Sequence, residues 1–183
     1  MGNRLARILR LPRADMGRAT AHAGLGITFI GIAALTAWQI EDIRVANPGE
    51  SFRVGDYNVT LVDVRQVEGP NYISTMAEMR VDRDGSNVTT LFPEKRIYPV
   101  ANMPTTEAAI DNGVFRDLYL VIGDPQGNGG WSVRTFVKPY ANWIWAGAII
   151  MSLGGLLSLT DRRFRVAAGA RKTPKASTGV PAE

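Results

Sequence analysis

The 183-residue chain is 45% hydrophobic and carries 21 basic and 17 acidic side chains, a single histidine and no cysteine. The lack of cysteine excludes a disulfide framework, a thiol nucleophile and a thiolate metal site within this chain. The formal net charge of +4 is unevenly spread, with +4 on residues 1–18, −4 on residues 41–138 and +4 on residues 161–183. It reflects two basic tails rather than a basic domain, and a nucleic-acid partner is not expected.

Residues 1–18 hold five arginines and one aspartate and are expected to form a cytoplasmic basic segment. Ala19 to Ile40 then runs for 22 residues without Asp, Glu, Lys or Arg. As a helix this run reaches roughly 33 Å, about the thickness of a bilayer core, and is expected to be the first transmembrane helix, 19–40. Trp38 closes it as an interfacial aromatic. It is longer than the apolar core of a secretory leader, and no small-x-small cleavage pattern precedes the outer domain, so a retained span is expected.

The sole imidazole, His22, lies inside this run. An ionisable side chain within a membrane helix is costly and marks function, and imidazole is the usual axial ligand of haem iron. The other reading is a polar side chain that hydrogen-bonds a neighbouring helix. Gly24, Gly26 and Gly31 would let either a flat macrocycle or another helix approach the backbone.

Residues 41–138 read as one small antiparallel β domain, a sandwich or open barrel of six to eight strands outside the cytoplasm. "SFRVGDYNVTLVDVRQV" alternates, and "TMAEMRVDRDGSNVTTLF" reads as strand, Asp84-Gly85 turn, strand. "EGPNYIS" and "PEKRIYPVANMP" read as structured loops, and "PTTEAAIDN", 104–112, as one or two helical turns capped by Thr105 or Thr106. "DLYLVIGDPQGNGGWSVRTFVKP" reads as a further strand pair around a Gly- and Pro-containing loop.

With no histidine or cysteine, this domain cannot hold a Ser-His-Asp triad or a zinc site, and no catalytic residue is assigned. Asp82, Asp84, Glu41 and Asp42 fit solvated positions, and Asn58 and Asn87 head N-x-T sequons. Lys95 and Arg96 beside Tyr98 could hold an acidic group such as a propionate or could simply line a solvated loop. Pro139 to Thr160 is the second 22-residue uncharged run, opening with Tyr140, Trp143 and Trp145. It is expected to be the second transmembrane helix, 139–160. Residues 161–183 follow as a basic, disordered cytoplasmic tail near anionic lipid. Both termini are therefore expected in the cytoplasm and the β domain outside it.

Four stretches carry a family resemblance. "LPRADMGRATAHAGLGITFIGIA", "VANPGESFRVGDYNVTLVDVRQVEGPNYIS", "LFPEKRIYPVANMPTTEAAIDNGVFRDLYLVIGDP" and "WSVRTFVKPYANWIWAGAIIMSLGGLLSLTDRRFR" resemble, in order, the C-terminal portion of CcmF, the haem lyase component of bacterial cytochrome c maturation. The resemblance implies that His22 matches one of the family's two transmembrane axial ligands to a b-type haem. It also implies covalent attachment of haem to apocytochrome c on the periplasmic side of the inner membrane. The implied partners are the remaining lyase portion, other maturation components, a haem chaperone and apocytochrome c, with "MPTTEAAIDNGVFRDLY" the expected contact stretch. The family's tryptophan-rich WWD segment and further histidines are missing, and Met16 stands where the family often has tryptophan. The chain is therefore expected to be a split-gene subunit or truncated reading frame, not a catalytically complete enzyme, sharing its haem site with another segment. The alternative is a cofactor-free, membrane-anchored interaction module that packs Gly147, Gly154 and Gly155 against partner helices.

Overall fold

The computed structural model describes residues 12–100, 102–127 and 129–161. The expected disordered tail and most of the N-terminal basic segment lie outside the described residues. Two apolar helices, α1 (Arg13–Trp38) and α2 (Ala141–Leu159), flank an antiparallel β-sandwich in the sequence. The chain divides into two compact units, Met1–Leu25 with Ala148–Glu183, and Gly26–Gly147.

Helix α1 starts just after Pro12, whose carbonyl accepts the amides of Asp15 at 3.0 Å and Met16 at 3.1 Å. Asp15, in the first turn, complements the helix dipole and pairs with Arg18. At about 1.5 Å per residue, α1 and α2 measure roughly 39 and 28 Å. Only 17% and 11% of their most apolar windows are buried within the chain. A core helix of a soluble domain would be mostly covered, whereas these leave Phe29, Ile30, Ile149, Leu153 and Leu156 exposed.

Within the first unit the helices approach to backbone contact. A Cβ built on Gly17 would stand 2.5 Å from the Ser158 nitrogen, and one on Gly154 would stand 2.4 Å from the Ala21 nitrogen. The Ala14 amide donates to Asp161 at 3.1 Å. Within the second unit, Gly31 lies against Ile144, a Cβ there falling 3.0 Å from its side chain. Small residues make this possible, since lipid gives paired helices no hydrophobic incentive and contact must come from close packing.

The second unit contains the sandwich. One sheet has the strand order β1 (Ile40–Ala46), β10 (Trp131–Pro139), β9 (Arg116–Pro125), β8 (Ala109–Asn112). The other runs β2 (Ser51–Val54), β3 (Tyr57–Glu68), β4 (Ile73–Arg83), β6 (Glu94–Tyr98), β7 (Met103–Glu107), with β5 (Ser86–Leu91) also on β4. Their facing sides bury Leu118, Leu120, Ile122 and Val133 against Phe52, Val59, Leu61, Met79 and Val81. In β3, Tyr57, Val59 and Leu61 point inward until a bulge at Val62 shifts the register, after which Val64 packs on the core. The extra residue reverses which positions of the strand face inward. Asp84 and Gly85, with φ of 50° and 76°, form the expected tight turn between β4 and β5.

Two expectations are corrected. Residues 104–112 form no helical turn: β7 pairs with β6, β8 pairs with β9, and the chain passes from one sheet to the other at Ala108. Thr105 and Thr106 are β-branched, and Pro104 is tolerated because β7 is an edge strand with no further ladder to feed. The stretch 93–104 is likewise not a loop but contains β6 and the start of a β6–β7 hairpin, bringing the described strands to ten.

The glycine pair 154–155 gives a direct test of helix contact. Gly154→Ala is expected to lower the thermal unfolding temperature of the detergent-solubilised protein, because its methyl would meet backbone. Gly155→Ala meets nothing within 4 Å and should be neutral or stabilising by up to about 1 kcal/mol through helix propensity.

Candidate functional site

Helix α1 presents His22 as an exposed side chain rather than directing it into the contact between the helices. Nearby residues of the same helix do the opposite: Ala21 touches Gly154, and Gly24 is buried. The His22 Nδ1 lies 2.8 Å from the Arg18 carbonyl oxygen, one turn earlier. A carbonyl only accepts, so Nδ1 carries the hydrogen of this bond. In the neutral ring Nε2 is then the unprotonated nitrogen, its lone pair directed away from that bond. The i−4 spacing makes Arg18 the residue whose carbonyl an α-helical histidine can reach, a signal present in the sequence itself. Gly31, expected to give a ligand or a helix room, gives that room to α2.

The cluster on β6 is already internally paired. Lys95 forms an ion pair with Asp124, and Arg96 donates to Glu94 at 2.8 Å and lies 4.4 Å over the Tyr72 ring. Glu94 also accepts from the Ser74 hydroxyl at 2.9 Å, and Tyr98 meets Tyr72 edge-on at 5.7 Å. The Arg96 hydrogen bond holds the Glu94 carboxyl below its ordinary value and raises Arg96, with burial opposing both shifts. Such a network braces β4 against β6 and gives both cations an intramolecular carboxylate partner.

Acidic side chains at the opposite ends of these strands are also paired. Arg80 meets Asp82 at 3.1 Å, Arg83 meets Asp56 at 3.4 Å, and the Asn87 amide donates to Asp82 at 3.2 Å. Among the described residues no group of three or more His, Asp or Glu side chains could hold a metal ion. His22 is the one imidazole in the chain, and its Nε2 has no hydrogen-bond partner among the described residues.

A family model described as the CcmF C-terminal beta-sandwich matches residues 37–139. The cytochrome c-type biogenesis protein ccl1 of Rhodobacter capsulatus is 64% identical over 93% of this chain and 26% of its own length. The cytochrome c-type biogenesis protein CcmF of Escherichia coli is 44% identical over 86% of this chain and 24% of its own length. The solved structure titled cytochrome c heme lyase CcmF superposes with a TM-score of 0.65 at 22% identity, over 81% of this chain and 25% of its own, and shares the fold. The chain therefore spans about a quarter of the length of the relatives it matches.

The Glu94 network carries a pH dependence of known sign. A carboxyl held below its ordinary 4.5 stabilises the fold above that value, and the contribution is lost as pH falls through the lower folded value. Acid titration of stability by circular dichroism should show a smaller loss below about pH 4.5 in Glu94→Gln than in the parent, with the two curves parallel between pH 6 and 8.

Proposed function

Because the chain belongs to the CcmF C-terminal beta-sandwich family, we propose that it is the C-terminal part of a cytochrome c haem lyase. In this role it assists covalent attachment of haem to apocytochrome c at the periplasmic face of the bacterial inner membrane. His22 serves as one axial ligand of a b-type haem, and the second ligand comes from the remaining lyase portion.

The observation that carries this is the state of His22: exposed, on an apolar helix, with Nδ1 tied to the Arg18 carbonyl. An imidazole turned toward hydrocarbon with nothing on Nε2 leaves a strong acceptor unsatisfied, which favours a partner supplied from outside the chain. Fixing the Nδ1–H on a carbonyl is how ligating histidines are oriented and kept in the right tautomer. The residues present fit one half of a two-ligand site. One-electron exchange is the chemistry such a haem supplies when bound, suited to keeping the iron of incoming haem reduced. This chain's own part is to hold and orient: the Arg18 carbonyl sets the ring, the Gly17–Gly154 contact fixes the helix that carries it, and the sandwich presents a surface to apocytochrome c and a haem chaperone. In the 103–119 stretch proposed for that contact, Met103 and Ile110 are exposed on the strands, while Val114 and Phe115 sit apart from them on the loop bonded to the start of α2. A cofactor-free module keeps only part of its expected packing surface, since Gly154 is already used inside the chain while nothing lies within 4 Å of a Cβ at Gly155.

Coexpression with the remaining lyase portion tests the ligand role. His22→Gly should abolish the b-type spectrum of the purified complex, and added imidazole should partly restore it; His22→Gln, which keeps a hydrogen bond but ligates iron poorly, should also lose it. Normal spectra and normal cytochrome c maturation in both variants would sink the assignment. Orientation is tested separately: a reporter after Glu183 should be cytoplasmic and one inserted near Gly127 periplasmic, as the basic tails require.

A further inference from the structure

The loop Gly113–Phe115 joins β8 to β9 and lies along the first turn of α2 rather than projecting freely. Its three consecutive carbonyls are all taken by the helix start. The Asn142 side-chain amide donates to Gly113 at 2.9 Å, the Trp143 indole to Val114 at 2.9 Å, and the Tyr140 backbone amide to Phe115 at 2.9 Å. Buried Asp117 closes the arrangement, accepting from the Gly113 amide at 3.1 Å and from Asn142 at 2.9 Å. Tyr140 adopts φ of 55°, a left-handed conformation unusual outside glycine, and its N–H donates to the Phe115 carbonyl in that conformation.

The side chains show the reverse pattern. Val114 is 69% and Phe115 63% exposed, although the Phe115 ring stands near those of Tyr140 and Trp143, at 6.1 and 6.4 Å. Single exposed apolar side chains are common on a water-facing domain, but here two adjacent ones sit on a loop whose three carbonyls are all bonded to the start of an apolar helix. A segment dipping below the headgroups gains from both features, because apolar side chains gain by insertion and backbone carbonyls find fewer water partners with depth. Depth is set by the bonds themselves: Trp143 is the third residue of α2, so Val114 reaches the level of the helix's first turn, within its aromatic belt.

We propose that Val114 and Phe115 form a preorganised wedge inserted into the outer-leaflet interface of the membrane, with lipid headgroups and upper acyl chains as the occupant of this surface. The wedge rests on α2 being a membrane span. The Asp117–Asn142 bridge ties the wedge to the start of α2.

The cysteine-free chain allows the test. Single Val114→Cys, Phe115→Cys, Leu153→Cys and Val100→Cys variants of the full chain are labelled with an environment-sensitive fluorophore. They are then reconstituted in phosphatidylcholine/phosphatidylglycerol vesicles containing lipids spin-labelled at shallow or deep acyl positions. Labels at 114 and 115 should be quenched at least twofold more by the shallow quencher than by the deep one. Leu153 should show the reverse preference, and Val100, on the β6–β7 hairpin, should be quenched by neither. Labels at 114 and 115 that behave like Val100 while Leu153 is quenched would overturn the wedge and leave the span intact. An unquenched Leu153 would overturn both. In membranes coexpressing the remaining lyase portion, a photoreactive benzophenone at 114 should yield lipid adducts; adducts predominantly to polypeptide would overturn the choice of lipid as occupant.

Discussion

Hydrocarbon offers no hydrogen bonds, and that constraint governs how this chain handles polar groups near its two apolar helices. The Gly113, Val114 and Phe115 carbonyls are met by Asn142, Trp143 and Tyr140. Thr36 and Ser152 return their hydroxyls to carbonyls one turn back, at 2.9 Å each. His22 does the same with Nδ1, and there the pattern stops short, since an imidazole has a second nitrogen and the helix has nothing to offer it.

Close helix contact follows from the same constraint. With apolar side chains equally content in lipid, α1 and α2 associate through surfaces small enough for backbone to meet backbone, as at Gly17 and Gly154. That use of glycine turns the larger side chains, among them Leu25 and Leu153, outward. The helical unit thus presents one imidazole and a set of aliphatic side chains to whatever surrounds it. A family whose members are about four times longer has further chain to place there.

The sandwich answers to a different solvent. It has no disulfide, so its stability comes from the apolar layer between the sheets, reinforced at the periphery by short-range ion pairs. Arg44 with Asp42 on β1 and Arg96 with Glu94 on β6 each pair residues two apart, which alternation places on one side of a strand. Pairs of this kind stiffen strands and compete with any external anion for the same guanidinium, so an anion at the β6 cluster would have to share it with Glu94.

Local chemistry made much of this legible in advance. Two uncharged runs of membrane length, alternation in β3, and the Asp84-Gly85 turn all depend on residues close in sequence, and the collinear motifs around them carried the family resemblance. His22 stood out because it was alone. Tertiary pairing accounts for the rest. Residues 104–112 have no strong period of their own and became strands because β6 and β9 offered edges to pair with. Lys95 and Arg96 looked available until Asp124, from β9, and Glu107, from β7, were brought beside them. Which segments prefer lipid and which prefer a sheet follows from residue order alone, because transfer free energy and strand alternation are written residue by residue. Which polar groups are spent within the chain and which face outward was settled by folding, because hydrogen-bond partners such as Val114 and Trp143 are 29 residues apart and meet only when the chain is folded.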